Sequence, residues 1–165
     1  MKRIQVNPKV WLIAPLLLLF TVLFSCSTEQ QEKDASTNQE IFPRGEKVPS
    51  QFFTGTARVY GLVENDSVFT TASGNVVFEP GARSNWHSHP AGQILIVTRG
   101  TGYHQIKGEP KEVIRKGDVV KCPPNTLHWH GASKDSSMTH IHIVPNTEKG
   151  IVEWGEPVTD EEFLN

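Results

Sequence analysis

Between residues 52 and 144 the chain is a succession of short runs rich in β-branched and aromatic residues, with Gly and Pro turns between them and no helical periodicity. The runs are 52–60, 68–71, 75–79, 94–99, 102–106, 113–114, 118–122, 127–130 and 138–144. Turns fall at Glu79-Pro80-Gly81, Arg99-Gly100-Thr101-Gly102, Lys107-Gly108-Glu109-Pro110, Lys116-Gly117-Asp118 and Pro123-Pro124-Asn125. Short strands with a turn about every 8 to 12 residues predict an all-β sandwich or barrel. Strands do not alternate with helices, so a parallel α/β sheet is excluded. One helical signal stands near the end, where Thr159-Asp160-Glu161-Glu162 fits a capping box and predicts a short terminal turn of helix.

The N-terminal residues have a different character. Lys2, Arg3 and Lys9 precede and flank an uncharged, mostly apolar run, residues 10–24. A bilayer span needs about 20 apolar residues, whereas the core of an export signal needs roughly 7 to 15. The segment reads as an export signal, with an uncleaved signal anchor as the alternative. With Ser25-Cys26 at its end it resembles a bacterial lipoprotein signal, in which Cys26 is acylated and becomes the first mature residue; Phe24 departs from the strict form of that box. The resemblance implies an exported chain, lipid-anchored to a membrane of the bacterial cell envelope. Residues 27–45 then read as a flexible polar tether, and 46–165 as one domain with its barrel core at about 52–144. After Cys26 the chain carries 13 basic and 18 acidic residues, a formal net charge of −5, which offers nucleic acid no basic face.

Six of the seven histidines form three His-x-His pairs, His87/His89, His128/His130 and His140/His142. Random placement would give roughly 0.3 such pairs, so the pattern calls for a chemical reason. Side chains two apart on a strand share a face, and each pair can turn two imidazoles into one interior. His104 stands alone in a stretch that reads as surface, a structural or solvated residue. Cys122, between Val119-Val120 and Pro123, reads as a small packed side chain rather than a nucleophile.

Two spacings give the histidines a setting. Gly81, His87, His89, Gln93 and Gly100 follow G-x5-H-x-H-x3-Q-x6-G, and Gly117, Pro123 and His128 follow G-x5-P-x4-H. These resemble the two cupin motifs in order and at a workable separation. The resemblance implies a single-domain cupin, a double-stranded β-helix or jelly-roll barrel, with His87, His89, Gln93 and His128 as metal ligands. Gln93 stands where the motif usually has Glu. Imidazole and oxygen donors suit Mn, Fe, Ni, Co or Zn. A neutral amide leaves the ion its full double charge, which makes it a stronger Lewis acid, weakens its retention and disfavours a trivalent state.

The remaining pairs supply candidate acid–base groups. If 127–130 and 138–144 are adjacent antiparallel strands, His130, His140 and His142 meet the same cavity. A His beside a Lewis acid that does not ligate it can act as general base, or can simply orient ligands and water. For His130 and His142 both readings stay open.

Phe52-Phe53-Thr54-Gly55-Thr56, Val77-Phe78-Glu79-Pro80-Gly81-Ala82-Arg83, Trp86-His87-Ser88-His89-Pro90, Gly92-Gln93-Ile94-Leu95-Ile96-Val97, His128-Trp129-His130-Gly131-Ala132 and Met138-Thr139-His140 resemble one subgroup in particular. It is that of the small manganese-binding cupins that include bacterial hydroxynitrile lyases. The likeness implies manganese at the four ligands, His140 as the base on a substrate hydroxyl, His130 lining the pocket, and reversible cleavage of a cyanohydrin. It also implies a small-molecule substrate and a homo-oligomer, dimer or tetramer. A cupin dioxygenase using Fe or Mn, and a non-catalytic cupin that captures a small ligand or metal, are the competing readings.

Overall fold

The computed structural model describes residues 40–165. The leader, Cys26 and residues 27–39 of the tether lie outside the described residues. The strands are β1 (Glu46–Lys47), β2 (Phe53–Thr54), β3 (Ala57–Val63), β4 (Thr71–Phe78), β5 (Arg83–Ser84), β6 (His87–Ser88), β7 (Gln93–Ile106), β8 (Glu112–Arg115), β9 (Val119–Cys122), β10 (His128–Ala132), β11 (Met138–Pro145) and β12 (Glu153–Trp154). A 3₁₀ turn, Thr147–Lys149, and a short helix, α1 (Asp160–Leu164), complete the chain.

Two antiparallel sheets curl together as a jelly-roll barrel, and β7 belongs to both. Its first half pairs with β11 and β9, in a sheet that continues through β4 and β3 to β1. Its second half pairs with β10 and β8, in a sheet that continues through β5 to β2. The change of sheet falls at Gly100, whose φ of +74° suits glycine, and where a Cβ would collide with the Ser137 carbonyl.

Inward-facing Val76, Phe78, Val97 and Met138 form the core at one end of the barrel. The outer face of the second sheet is covered as well. Trp129, which alternates with His128 and His130, turns away from the interior and packs with Trp86, Val158 and Phe163. Arg83 ties this cover down, with Nε and Nη2 donating to the Val158 carbonyl at 3.1 and 2.9 Å, and the guanidinium 4.6 Å over the Phe163 ring. Fully burying one such aromatic side chain contributes roughly 2–3 kcal/mol. The capping box forms as its residues predict: Glu162 N–H donates to Thr159 Oγ1, and Thr159 N–H to the Glu162 carboxylate.

Four local expectations are corrected. Residues 52–60 are two strands, β2 and β3, because Gly55 turns the chain with φ +79° at a point where a Cβ would approach Ala82 Cα to 2.9 Å. Residues 68–70 lie outside any strand: the Asp66 carboxylate accepts from the Val68 and Phe69 amides at 2.7 and 2.6 Å, a local turn that competes with sheet pairing. Residues 99–102 bend one long strand and do not reverse it. Finally, β10 and β11 are not neighbours; each pairs with a different half of β7, so their histidines meet across the barrel interior.

Candidate metal centre and cavity

His87 on β6 and His128 on β10 are direct cross-strand partners, with ring centroids 4.3 Å apart. His89 follows in the turn after β6, its ring 5.2 Å from His87 and 5.6 Å from His128. The turn is fixed by the His89 carbonyl, which accepts from the Gly92 and Asn125 amides at 3.0 and 2.9 Å. It delivers Gln93 to the start of β7, with Oε1 3.1 Å from His128 Nε2. The four residues expected as ligands therefore come together.

Their hydrogen bonds fix which nitrogen faces inward. Nδ1 of His87 lies 2.9 Å from the Asn85 carbonyl, Nδ1 of His128 2.9 Å from the Thr126 carbonyl, and Nδ1 of His89 2.5 Å from the Ile151 carbonyl. A carbonyl can only accept, so each Nδ1 carries the proton and each Nε2 keeps a free lone pair. His89 Nε2 is buried without a partner. His128 Nε2 and Gln93 Oε1 then face one another as two acceptors. Their separation matches the roughly 3 Å between adjacent ligands of an octahedral ion with short bonds, so the donor set fits a divalent cation. Burial holds His87 well below the usual imidazole range, aided by nearby His128, and burial lowers His89 and brings His128 to about 4. All three are neutral near pH 7, as ligation requires.

His130 and His140 stand beside this cradle, ring to ring at 4.8 Å and edge to face. Phe78 packs against both, at 5.8 and 5.7 Å. All four of their ring nitrogens are buried and unpartnered. Burial, and then the nearness of His142, depresses His140 to about 3; burial and then His140 hold His130 well below its usual value. Side-chain donors of His87, His128 and His130 lie within 4.8 Å of one another, so His130 reaches the cradle as well as the cavity. His142, on the same face of β11 as His140, also lines the cavity.

The cavity has a volume of about 320 Å³. Its polar lining is His87, His89, His130, His140, His142, Gln93 and Ser84, and its walls are apolar, among them Val48, Phe52, Val59 and Val76. No Lys, Arg, Asp or Glu lines it among the described residues. Trp154 on β12 closes one side, stacked on Phe52 at 4.7 Å and 5.0 Å from the His87 ring. Sequence reasoning did not single out Trp154 or the Ile151 carbonyl. Both depend on β12 pairing with β6, and a two-residue strand leaves no periodicity to read.

For His104 the surface, solvated reading is corrected and the structural one stands: it is buried, with Nε2 3.4 Å from Cys122 Sγ and Glu112 Oε2 3.5 Å from Nδ1, an electrostatic contact rather than a hydrogen bond. Cys122 is buried, and its thiol is pushed up to about 12, by burial first and then by Glu112, as expected of a packed side chain and not a nucleophile.

Comparison with known proteins agrees with the barrel. Residues 74–144 match the family described as "Cupin domain". Over 117 residues, 71% of this chain and 89% of the relative, the chain is 45% identical to "(R)-mandelonitrile lyase" of Granulicella tundricola. The chain belongs to the cupin family. A crystal structure of a cupin-like protein from Thermotoga maritima is 52% identical, superposes with a TM-score of 0.75, and covers 76% of this cupin and 95% of itself. The DMSP lyase of Ruegeria pomeroyi is 18% identical with a TM-score of 0.55, covering 76% of this cupin and 64% of that chain, a likeness of fold alone.

Proposed function

We propose that this cupin is a metal-dependent lyase that cleaves, reversibly, the C–C bond between the carbinol carbon and the nitrile of a cyanohydrin. The observation that carries the reading is the placing of partnerless His140 and His130 at the edge of a cradle of Nε2 lone pairs, inside a cavity without carboxylates or fixed cations. The likeness to a protein named mandelonitrile lyase supports it. His87, His89, Gln93 and His128 would hold the ion, with manganese the metal implied by the subgroup resemblance and Fe, Ni, Co and Zn compatible with the donors. When bound, the ion supplies Lewis acidity to a substrate donor atom, undiminished by any carboxylate ligand.

The chain's own residues perform the proton steps. His140, neutral at pH 7, accepts the proton of the substrate hydroxyl at a ring nitrogen. The O–H electrons become the carbonyl π bond while the C–C pair leaves with cyanide. His140 returns its proton to cyanide, so the products are a carbonyl compound and hydrogen cyanide and the enzyme is regenerated. His130 offers the same pocket a second imidazole, and the Phe52, Phe53 and Trp154 side chains keep water from the carbonyl product.

A mandelonitrile cleavage assay on the metal-loaded chain tests the reading, run with and without air. Benzaldehyde should form at the same rate in both; oxygen consumption coupled to turnover would instead favour a dioxygenase, and a metal-loaded but inert protein would remove the lyase reading. Acylation at Cys26, with anchoring to the cell envelope, is a separate proposal. It rests on the leader alone, and loss of palmitate labelling in Cys26→Ser would support it where retained labelling would end it.

A further inference from the structure

His142 is the one member of the three His-x-His pairs that neither the cradle nor the proton steps use. It lies directly opposite Gly74 in the pairing of β11 with β4. A Cβ on Gly74 would come within 2.7 Å of His142 Nε2 and 3.2 Å of its Cδ2, so the imidazole lies across the strand in space left by the missing side chain. Glycine in the middle of a strand weakens it, and this close approach is what the position accommodates. The ring lines the cavity. No hydrogen bond to another described residue holds it, and burial, with nearby His89, keeps it neutral at about 4. A neutral imidazole offers one N–H donor and one acceptor.

We propose that His142 is a substrate-contacting residue that hydrogen-bonds a polar atom of the substrate other than the hydroxyl served by His140, and that Gly74 is the clearance for its ring. This rests on the reading of the cavity as a substrate site. The substrate class it selects is neutral and bifunctional, with two polar groups on one carbon and an apolar remainder, as in an α-hydroxynitrile. His140 and His142 project from one face of β11 two residues apart, roughly 7 Å along the strand. A small substrate bridges that spacing with its two polar groups.

The test compares the full chain with His142→Ala, His142→Phe, His142→Gln and Gly74→Ala, reading metal content, mandelonitrile cleavage, and equilibrium binding of mandelonitrile and of benzaldehyde. Metal content should be unchanged throughout. Mandelonitrile binding and kcat/KM should fall about tenfold or more in the Ala and Phe variants, and Gln should recover most of the loss. Gly74→Ala, which pushes the ring aside without removing it, should move the same readouts in the same direction. Binding that falls with His142 in a chain that does not cleave mandelonitrile supports the contact and removes only the lyase reading. A Phe variant as good as wild type, Gly74→Ala without effect, or loss of metal in His142→Ala would overturn the proposal. A metal-loaded wild type that binds neither compound overturns both.

Discussion

At the scale of single residues, the decisive feature is which ring nitrogen carries the proton. Three backbone carbonyls hold Nδ1–H of His87, His89 and His128 and leave each Nε2 lone pair free, that of His128 3.1 Å from the Gln93 amide oxygen. Gln93→Glu adds one negative charge to this cradle. It should tighten metal retention about tenfold or more in chelator competition while lowering turnover, because the ion loses electrophilic strength. His140→Ala should keep its metal and lose about 10²-fold to 10⁴-fold in kcat. Much of the site was legible because period-2 spacing places two imidazoles on one face wherever a strand forms. His104 was not: its burial arises from the pairing of β8 and β10 with opposite edges of β7, which no local pattern around it reveals.

At the scale of elements, position depends on segments distant in sequence. The C-terminal 15 residues supply the Ile151 carbonyl that orients His89, the Trp154 wall, and the cover over Trp129. Thr159→Ala removes the helix cap and should cost about 1 kcal/mol, whereas Phe163→Ala, which empties the space between Trp129 and Arg83, should cost about 3 kcal/mol. Urea unfolding checks both, with metal content unchanged in each. The capping box was readable because its contacts are three residues apart. The single strand β7 was not, since Gly100-Thr101-Gly102 has the composition of a reversing turn, and only pairing with Ser137-Met138 and with Arg115 turns it into a bend between sheets.

At the scale of the whole molecule, the barrel stores neutral histidines in its interior. His87, His89, His104, His128, His130, His140 and His142 are all depressed, each by burial first. An unfolded chain binds protons at these sites below about pH 6.5 where the folded chain does not. The stability they contribute is therefore full above pH 6.5 and is lost as pH falls toward 4 and 3. Each extra proton taken up on unfolding costs about 1.4 kcal/mol per pH unit. The metal-free protein should have a markedly lower urea midpoint at pH 5.5 than at pH 7.5; equal midpoints would mean that these imidazoles are solvated.

Elemental analysis of the purified chain bears most directly on the cradle from which the rest follows. Wild type should hold close to one divalent transition metal per chain, and His87→Ala/His128→Ala should hold none while keeping its β-sheet circular dichroism. Folded wild-type protein that retains no such ion after loading, or a double variant that retains it in full, would contradict a site built from these side chains.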